Sequence, residues 1–197
     1  MGYQKKDYDA EIEYLESTGV QRIDSGIHAF DVGSIAFKVS VEGIDDLPMS
    51  FLFGTPAIGR YNNSAQRGRI LCVKSANYNR IGYVDFGNVG GSRITYNSST
   101  VVQSKHACNV TEEMFSIEEY NGVKGNLWLF AALQSSNRFL YSKCKIYYFQ
   151  IWDRNDELIR DLIPVRIFSN GFLYDRVTKN LLTSSSAYKQ FVLGSDL

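Results

Sequence analysis

The chain has 197 residues, 44% of them hydrophobic, 14% aromatic and 21% charged, which excludes the disordered, collagenous and coiled-coil classes. Lysine plus arginine and aspartate plus glutamate balance at 21 each, so no basic field exists to hold a nucleic-acid backbone or an anionic membrane, and neither is expected as a partner. A chain of this size buries about 70% of its unfolded surface, enough for one core without a disulfide or a metal.

The N-terminus, Met1-Gly2-Tyr3-Gln4-Lys5-Lys6-Asp7-Tyr8-Asp9, is polar where a secretory signal needs a continuous apolar stretch. Lys6 stands where a myristoylation signal wants Ser or Thr. No apolar run nears the ~20 residues that span a bilayer. The expectation is a soluble protein made in a cytoplasm, with residues 1–10 a flexible or docking arm and 11–197 one domain. Asp9 to Ser17 is rich in helix formers, but Ile12 and Leu15 are its only aliphatic anchors and Gly19 follows, so it reads as extended.

Beyond it the dominant period is two. Ile35, Phe37, Val39 and Val41 alternate with Ala36, Lys38 and Ser40, the pattern of a strand with one packed face. Phe51–Gly54, Arg69–Val73, Ile81–Phe86, Phe115–Ile117 and Asn126–Ala131 are short and rich in aromatic and branched residues, and read as strands. Turn clusters separate them, among them Tyr61-Asn62-Asn63-Ser64, Gly87 to Ser92 and Asn97-Ser98-Ser99. In Lys145 to Asp153, simple alternation puts Tyr147, Phe149 and Ile151 on one face and Ile146, Tyr148, Gln150 and Trp152 on the other. Arg154-Asn155-Asp156-Glu157 reverses the chain, and Leu158 to Arg166 returns as a strand whose Pro164 places its end at a sheet edge or a bulge. The whole predicts an all-β, two-sheet antiparallel β-sandwich.

Cys72, Cys108 and Cys144 are widely spaced, and only His28 and His106 accompany them, so reduced thiols and no metal site are expected. His106 and Cys108 share a face at strand spacing, yet no third group orients them, and a buried structural cysteine is the commoner fate. Asp31, Asp45 and Asp46 form no compact calcium loop. Asn62, Asn97 and Asn109 lie in N-x-S/T sequons that matter only on a secretory route.

Tyr14-Leu15-Glu16-Ser17-Thr18-Gly19 with Gln21, Ile23-Asp24-Ser25-Gly26-Ile27, Phe51–Gly54, Leu127-Trp128-Leu129-Phe130-Ala131, Lys145 to Asp153, Arg160-Asp161-Leu162-Ile163-Pro164 and Leu173-Tyr174-Asp175 run in order along nearly the whole chain. Together they resemble the concanavalin A-like, laminin-G-like jelly-roll domains of bacteriophage and prophage virion proteins (tail, fibre, decoration) and of gut-bacterial surface proteins. The resemblance implies two sheets packed face to face with the first and last strands adjacent, and a carbohydrate-binding or adhesive role. It further implies a virion location, with a bacterial surface glycan and other virion subunits as partners and homo-oligomerisation left open. Some relatives are glycoside hydrolases. That chemistry needs two carboxylates about 5–9 Å apart across a cleft, which the resemblance implies as alternating acids on a concave central strand; the nearest set here, Glu11, Glu13 and Glu16, lies in the entry strand instead. The expectation is therefore a protein that is not an enzyme and carries no cofactor. A purely structural virion component is the alternative.

Sugar recognition asks for an aromatic plane against the apolar face of a pyranose, with amide or charged donors beside it. Tyr148, Gln150 and Trp152 supply this on one strand face, and Tyr61, Asn63 and Tyr78 supply it in loops. Against the strand group stands the ordinary fate of large aromatics in sandwiches, which is to cap the core. Trp128, inside an apolar run, is expected in the core outright.

Overall fold

The computed structural model describes residues 7–40, 49–55, 70–75, 83–86, 101–108, 125–135, 138–185 and 190–197. Along the chain these form β1 (Ala10–Glu11), β2 (Leu15–Glu16), β3 (Ile23–His28), β4 (Ser34–Ser40), β5 (Met49–Gly54), β6 (Ile70–Ser75), β7 (Tyr83–Phe86) and β8 (Val101–Ala107). There follow β9 (Asn126–Leu129), β10 (Ala131–Ser135), β11 (Arg138–Tyr141), β12 (Lys145–Trp152), β13 (Leu158–Ile167), β14 (Asn170–Asp175), β15 (Asn180–Leu182) and β16 (Val192–Leu193). The one helical turn among the described residues is the 3₁₀ turn Ala29–Asp31.

Every pairing is antiparallel. A nine-stranded sheet runs β15-β14-β13-β12, with β4 and then β8 beyond β12. A five-stranded sheet runs β3-β9-β5-β6-β7, and β10 and β11 pair with each other. The sheets meet where Phe37 of β4 and Phe149 of β12 face Phe53 of β5, with ring centroids 5.0 Å apart for Phe37–Phe53 and for Phe53–Phe149. All three are fully buried, each contributing about 1.5–3 kcal/mol by leaving water. Leu15, Ile23, Ile35, Leu127, Leu129, Ile146, Ile151, Leu162 and Leu173 complete the core between the layers. The molecule is thus an antiparallel β-sandwich, as the alternation predicts.

The terminal segments lie side by side: Leu15 pairs with Leu193, and Ile12 bridges Asp196. From Asp7 onward the segment expected as an arm runs beside β13, Asp9 N donating to Arg166 O at 2.9 Å and Ala10 lying opposite Arg166; residues 1–6 lie outside the described residues. Buried Gln21 ties the first turn to the C-terminal segment. Its Oε1 accepts from Thr18 N at 2.8 Å and Ser17 Oγ at 3.0 Å, and its Nε2 donates to Gln190 O at 2.8 Å. Gly19, at φ +92°, lets the chain make that turn.

Pro164 sits inside ten-residue β13, opposite Leu173, and its carbonyl accepts from Ile12 N at 3.1 Å, so the end of that strand lies between β14 and β1 rather than at a sheet edge. On that side β13 exchanges one neighbour for another: Leu162 is the last residue paired with β12, and Val165 the first paired with β1. The missing N–H of proline falls in that changeover, so no ladder bond is lost. Phe115–Ile117 lies outside the described residues. The strand β8 was not anticipated from the sequence.

Candidate functional site

The outward face of the large sheet is set by a bulge in β12. Ile146 lies opposite Val39 and Tyr148 opposite Lys38, so Tyr147 is the extra residue. Ile146 therefore joins Phe149 and Ile151 in the core, while Tyr147 turns outward with Tyr148, Gln150 and Trp152. This corrects strict alternation, which has Ile146 and Tyr147 on the wrong faces.

Backbone register then orders the face in rows across β8, β4 and β12. Gln103, Lys38 and Tyr148 form one row, Lys105, Ala36 and Gln150 the next, and Ala107, Ser34 and Trp152 the third. Gln103, Lys105 and Ala107 are exposed, and Tyr148, Gln150 and Trp152 half-buried. Because Ser34 and Ala36 are small, side chains from β8 reach across β4. The Lys105 ammonium lies 4.0 Å from the Trp152 ring centroid. Tyr148 hydrogen-bonds the Gln103 side chain; partial burial pushes its phenol upward and that bond opposes the shift. Lys38 Nζ lies 4.9 Å from the Tyr147 ring, and Lys145 Nζ 4.5 Å from that of Tyr14. Ser34 Oγ is buried and has no hydrogen-bond partner.

Towards β13 and β14 the face continues as a polar chain. Gln150 Nε2 donates to Asp161 Oδ1 at 3.0 Å, and Arg176 Nε donates to Asp161 Oδ2 at 2.8 Å. That bond holds the Arg176 guanidinium above its usual range, against partial burial. Next to it the Tyr8 ring leans on Tyr174, centroids 4.9 Å apart, and the Tyr8 hydroxyl donates to Glu11. Burial first, and that bond second, push the Tyr8 phenol up to about 12.

Asp175 faces the other way, fully buried. It accepts from Asp161 N, Val177 N and Thr178 Oγ1, and it lies 3.5 Å from Arg160 Nε, which itself donates to Ser25 O in the smaller sheet. Arg160 and Asp175 are therefore joints that close one end of the sandwich. Asp153 serves a turn, accepting from Asn155 N and Glu157 N at 2.8 Å each. Among the described residues no group of three His, Cys, Asp or Glu side chains is gathered as a metal site. Asp31 is exposed.

Of the sequence-predicted site residues, Tyr148, Gln150 and Trp152 stand together on this face; Tyr61, Asn63 and Tyr78 lie outside the described residues, as do Asp45 and Asp46. Cys108 belongs to the core cluster, where burial pushes its thiol upward and away from nucleophilic use. Cys108 and Cys144 are buried free thiols.

Trp128 is not in the core. Its strand neighbours Leu127 and Leu129 are fully buried, and it points out of the smaller sheet. There the Phe139 ring meets it at 5.1 Å, and the Arg22 guanidinium lies 5.5 Å from its centroid and 3.9 Å from that of Phe139. Sequence reasoning missed Arg22, Lys38, Lys105, Arg176 and Tyr174. An isolated basic residue in a strand carries no signal until its cross-strand neighbour is known.

No family model, curated protein or solved structure matches this chain.

Proposed function

We propose that the chain is a non-catalytic, lectin-like sandwich of the concanavalin A-like jelly-roll type, carried on a bacteriophage virion and binding bacterial surface glycans through the outward face of β8, β4 and β12. The observation that carries the binding role is the placing of Tyr148 and Trp152 on either side of Gln150, on a face whose central strand offers only small side chains at Ser34 and Ala36. Such a face has aromatic planes for pyranose rings and an amide for hydroxyls. The virion setting rests on the family resemblance. The test is a glycan array with the intact chain and with Trp152→Ala. Specific binding that the substitution abolishes while the melting temperature stays near that of the parent supports the reading; binding that survives the substitution overturns it for this face.

A second reading, a structural virion component that meets other subunits, is favoured by Phe168. This residue is 80% exposed at the tip between β13 and β14, with a left-handed φ of 52°. The turn is braced by Asp9, whose Oδ2 accepts from Phe168 N at 2.6 Å, and by Arg166, which pairs with Asp196 at 2.6 Å. An exposed aromatic held at a backbone cost is a feature of contact sites. On this reading Phe168→Gly blocks assembly into particles and Trp152→Ala does not.

A further inference from the structure

We infer that the ligand of the β8–β4–β12 face is an acidic polysaccharide, a polymer whose sugar rings bear carboxylates; this rests on the glycan-binding reading above. The first observation is charge. None of the three strands, Ser34–Ser40, Val101–Ala107 and Lys145–Trp152, contains an Asp or Glu, and together they carry Lys38, Lys105 and Lys145. The flanking strands contribute Asp161, already bound by Gln150 and Arg176, and Glu16, opposite Lys145. In a chain whose charges balance overall, this is a local positive strip rather than a general basicity, and local fields of this kind select charged ligands.

The second observation is what the lysines do. Lys105 rests on Trp152 at 4.0 Å, Lys38 on Tyr147 at 4.9 Å and Lys145 on Tyr14 at 4.5 Å. An exposed cation–π contact is worth only about 0.5–1 kcal/mol, so the ring contact holds the Lys105 ammonium lightly. A neutral sugar stacking on Trp152 must displace Lys105 and offers the ammonium no charged partner in return. A uronic acid uses both halves of the pair, its ring on the indole and its carboxylate on the ammonium. The Ser34 hydroxyl, buried and unpartnered in the Trp152 row, is a spare donor beside that ring. The backbone positions of Trp152 and Tyr148 are about 13 Å apart along the strand, so a polymer spans both and a monosaccharide does not.

The test is binding of the intact chain to polygalacturonate and alginate, to fully methyl-esterified polygalacturonate, and to a neutral panel of dextran, galactan and mannan, each at low and high salt. The inference expects acidic polymers to bind best, to lose affinity with salt, and to lose it on methyl esterification. Lys38→Gln and Lys105→Gln should each weaken acidic binding about two- to five-fold, the size of an exposed ion pair. Equal binding of the esterified and acidic polymers, or binding confined to the neutral panel, overturns the acidic class and leaves glycan binding standing. Binding to none of them, by a chain whose melting curve shows it folded, overturns both.

Discussion

The two tryptophans stand on opposite outer faces of the sandwich, and each has a cation against its ring, but the cations differ in kind. Over Trp152 lies a lysine from an exposed strand position, 4.0 Å from the centroid. Beside Trp128 lies Arg22, whose Cζ is also 3.9 Å from the Phe139 ring centroid, whose Nη1 donates to the Tyr141 hydroxyl at 2.5 Å, and whose Nε is buried. A guanidinium stacks flat among rings and tolerates burial because it is weakly hydrated; an ammonium is a compact, strongly hydrated charge that keeps to water. The same pairing of cation and ring is therefore a clamp in one place and a removable cover in the other. Arg22 fastens the β10–β11 pair over the smaller sheet, while Lys105 leaves its ring open to exchange.

Removing the rings tests this most sharply. Trp128→Ala should cost about 3–5 kcal/mol, the usual loss for a large enclosed aromatic, whereas Trp152→Ala should cost about 1 kcal/mol, the central value for point substitutions. Chemical denaturation of both variants decides it, and equal losses would break the comparison. Arg22→Lys comes next, at about 1–2 kcal/mol, because the planar stack and the bond to Tyr141 are both lost. Hydrogen exchange should quicken in β10 and β11 before it does in β12; uniform quickening would remove the clamp role.

An intermediate case is Tyr8, half-buried on Tyr174 and bound to Glu11. Burial foremost raises its phenol to about 12, above an unfolded value near 10. The folded state thus holds the proton more tightly, and the stability this supplies is complete below about pH 10 and lost as pH climbs through about 12. Tyr8→Phe should flatten the alkaline fall in melting temperature across that window; an unchanged fall would show that Tyr8 contributes nothing there. The smallest effect is expected at Lys105→Ala, within about 0.5 kcal/mol of the parent. A larger loss in the melt would make Lys105 a clamp like Arg22.

How much of this was legible in the sequence depended on whether partners lie close along the chain. β12, its reversal and β13 were plain because the aromatic run, the Arg154 to Glu157 turn and the returning apolar run are consecutive. The bulge at Tyr147 was not, since an alternation counted from either end of Lys145 to Trp152 gives no sign of the extra residue. β8 escaped notice because the residues opposite core-facing Val39, Phe37 and Ile35 are Val102, Ser104 and His106, which show little apolar alternation. Trp128 looked like core because it sits between Leu127 and Leu129, and the residue that receives it, Arg22, is remote in sequence. For the candidate site, the trio on β12 could be named in advance. The lysines that give the face its charge could not, because their positions over the rings depend on register across three strands.

The pairing of the chain's two ends also sets an order of events during synthesis. β1 pairs with β13, and β2 with β12 and β16, so β1 and β2 have no ladder partner until Lys145 and the residues after it have been made. At about 5–20 residues per second they wait for seconds with their edges open, and Leu15 cannot meet Leu193 until β16 has been made as well. A ribosome that stalls between the smaller sheet and β12 would hold out an incomplete layer, and it is in that interval, rather than in the finished molecule, that a holding chaperone would find its client.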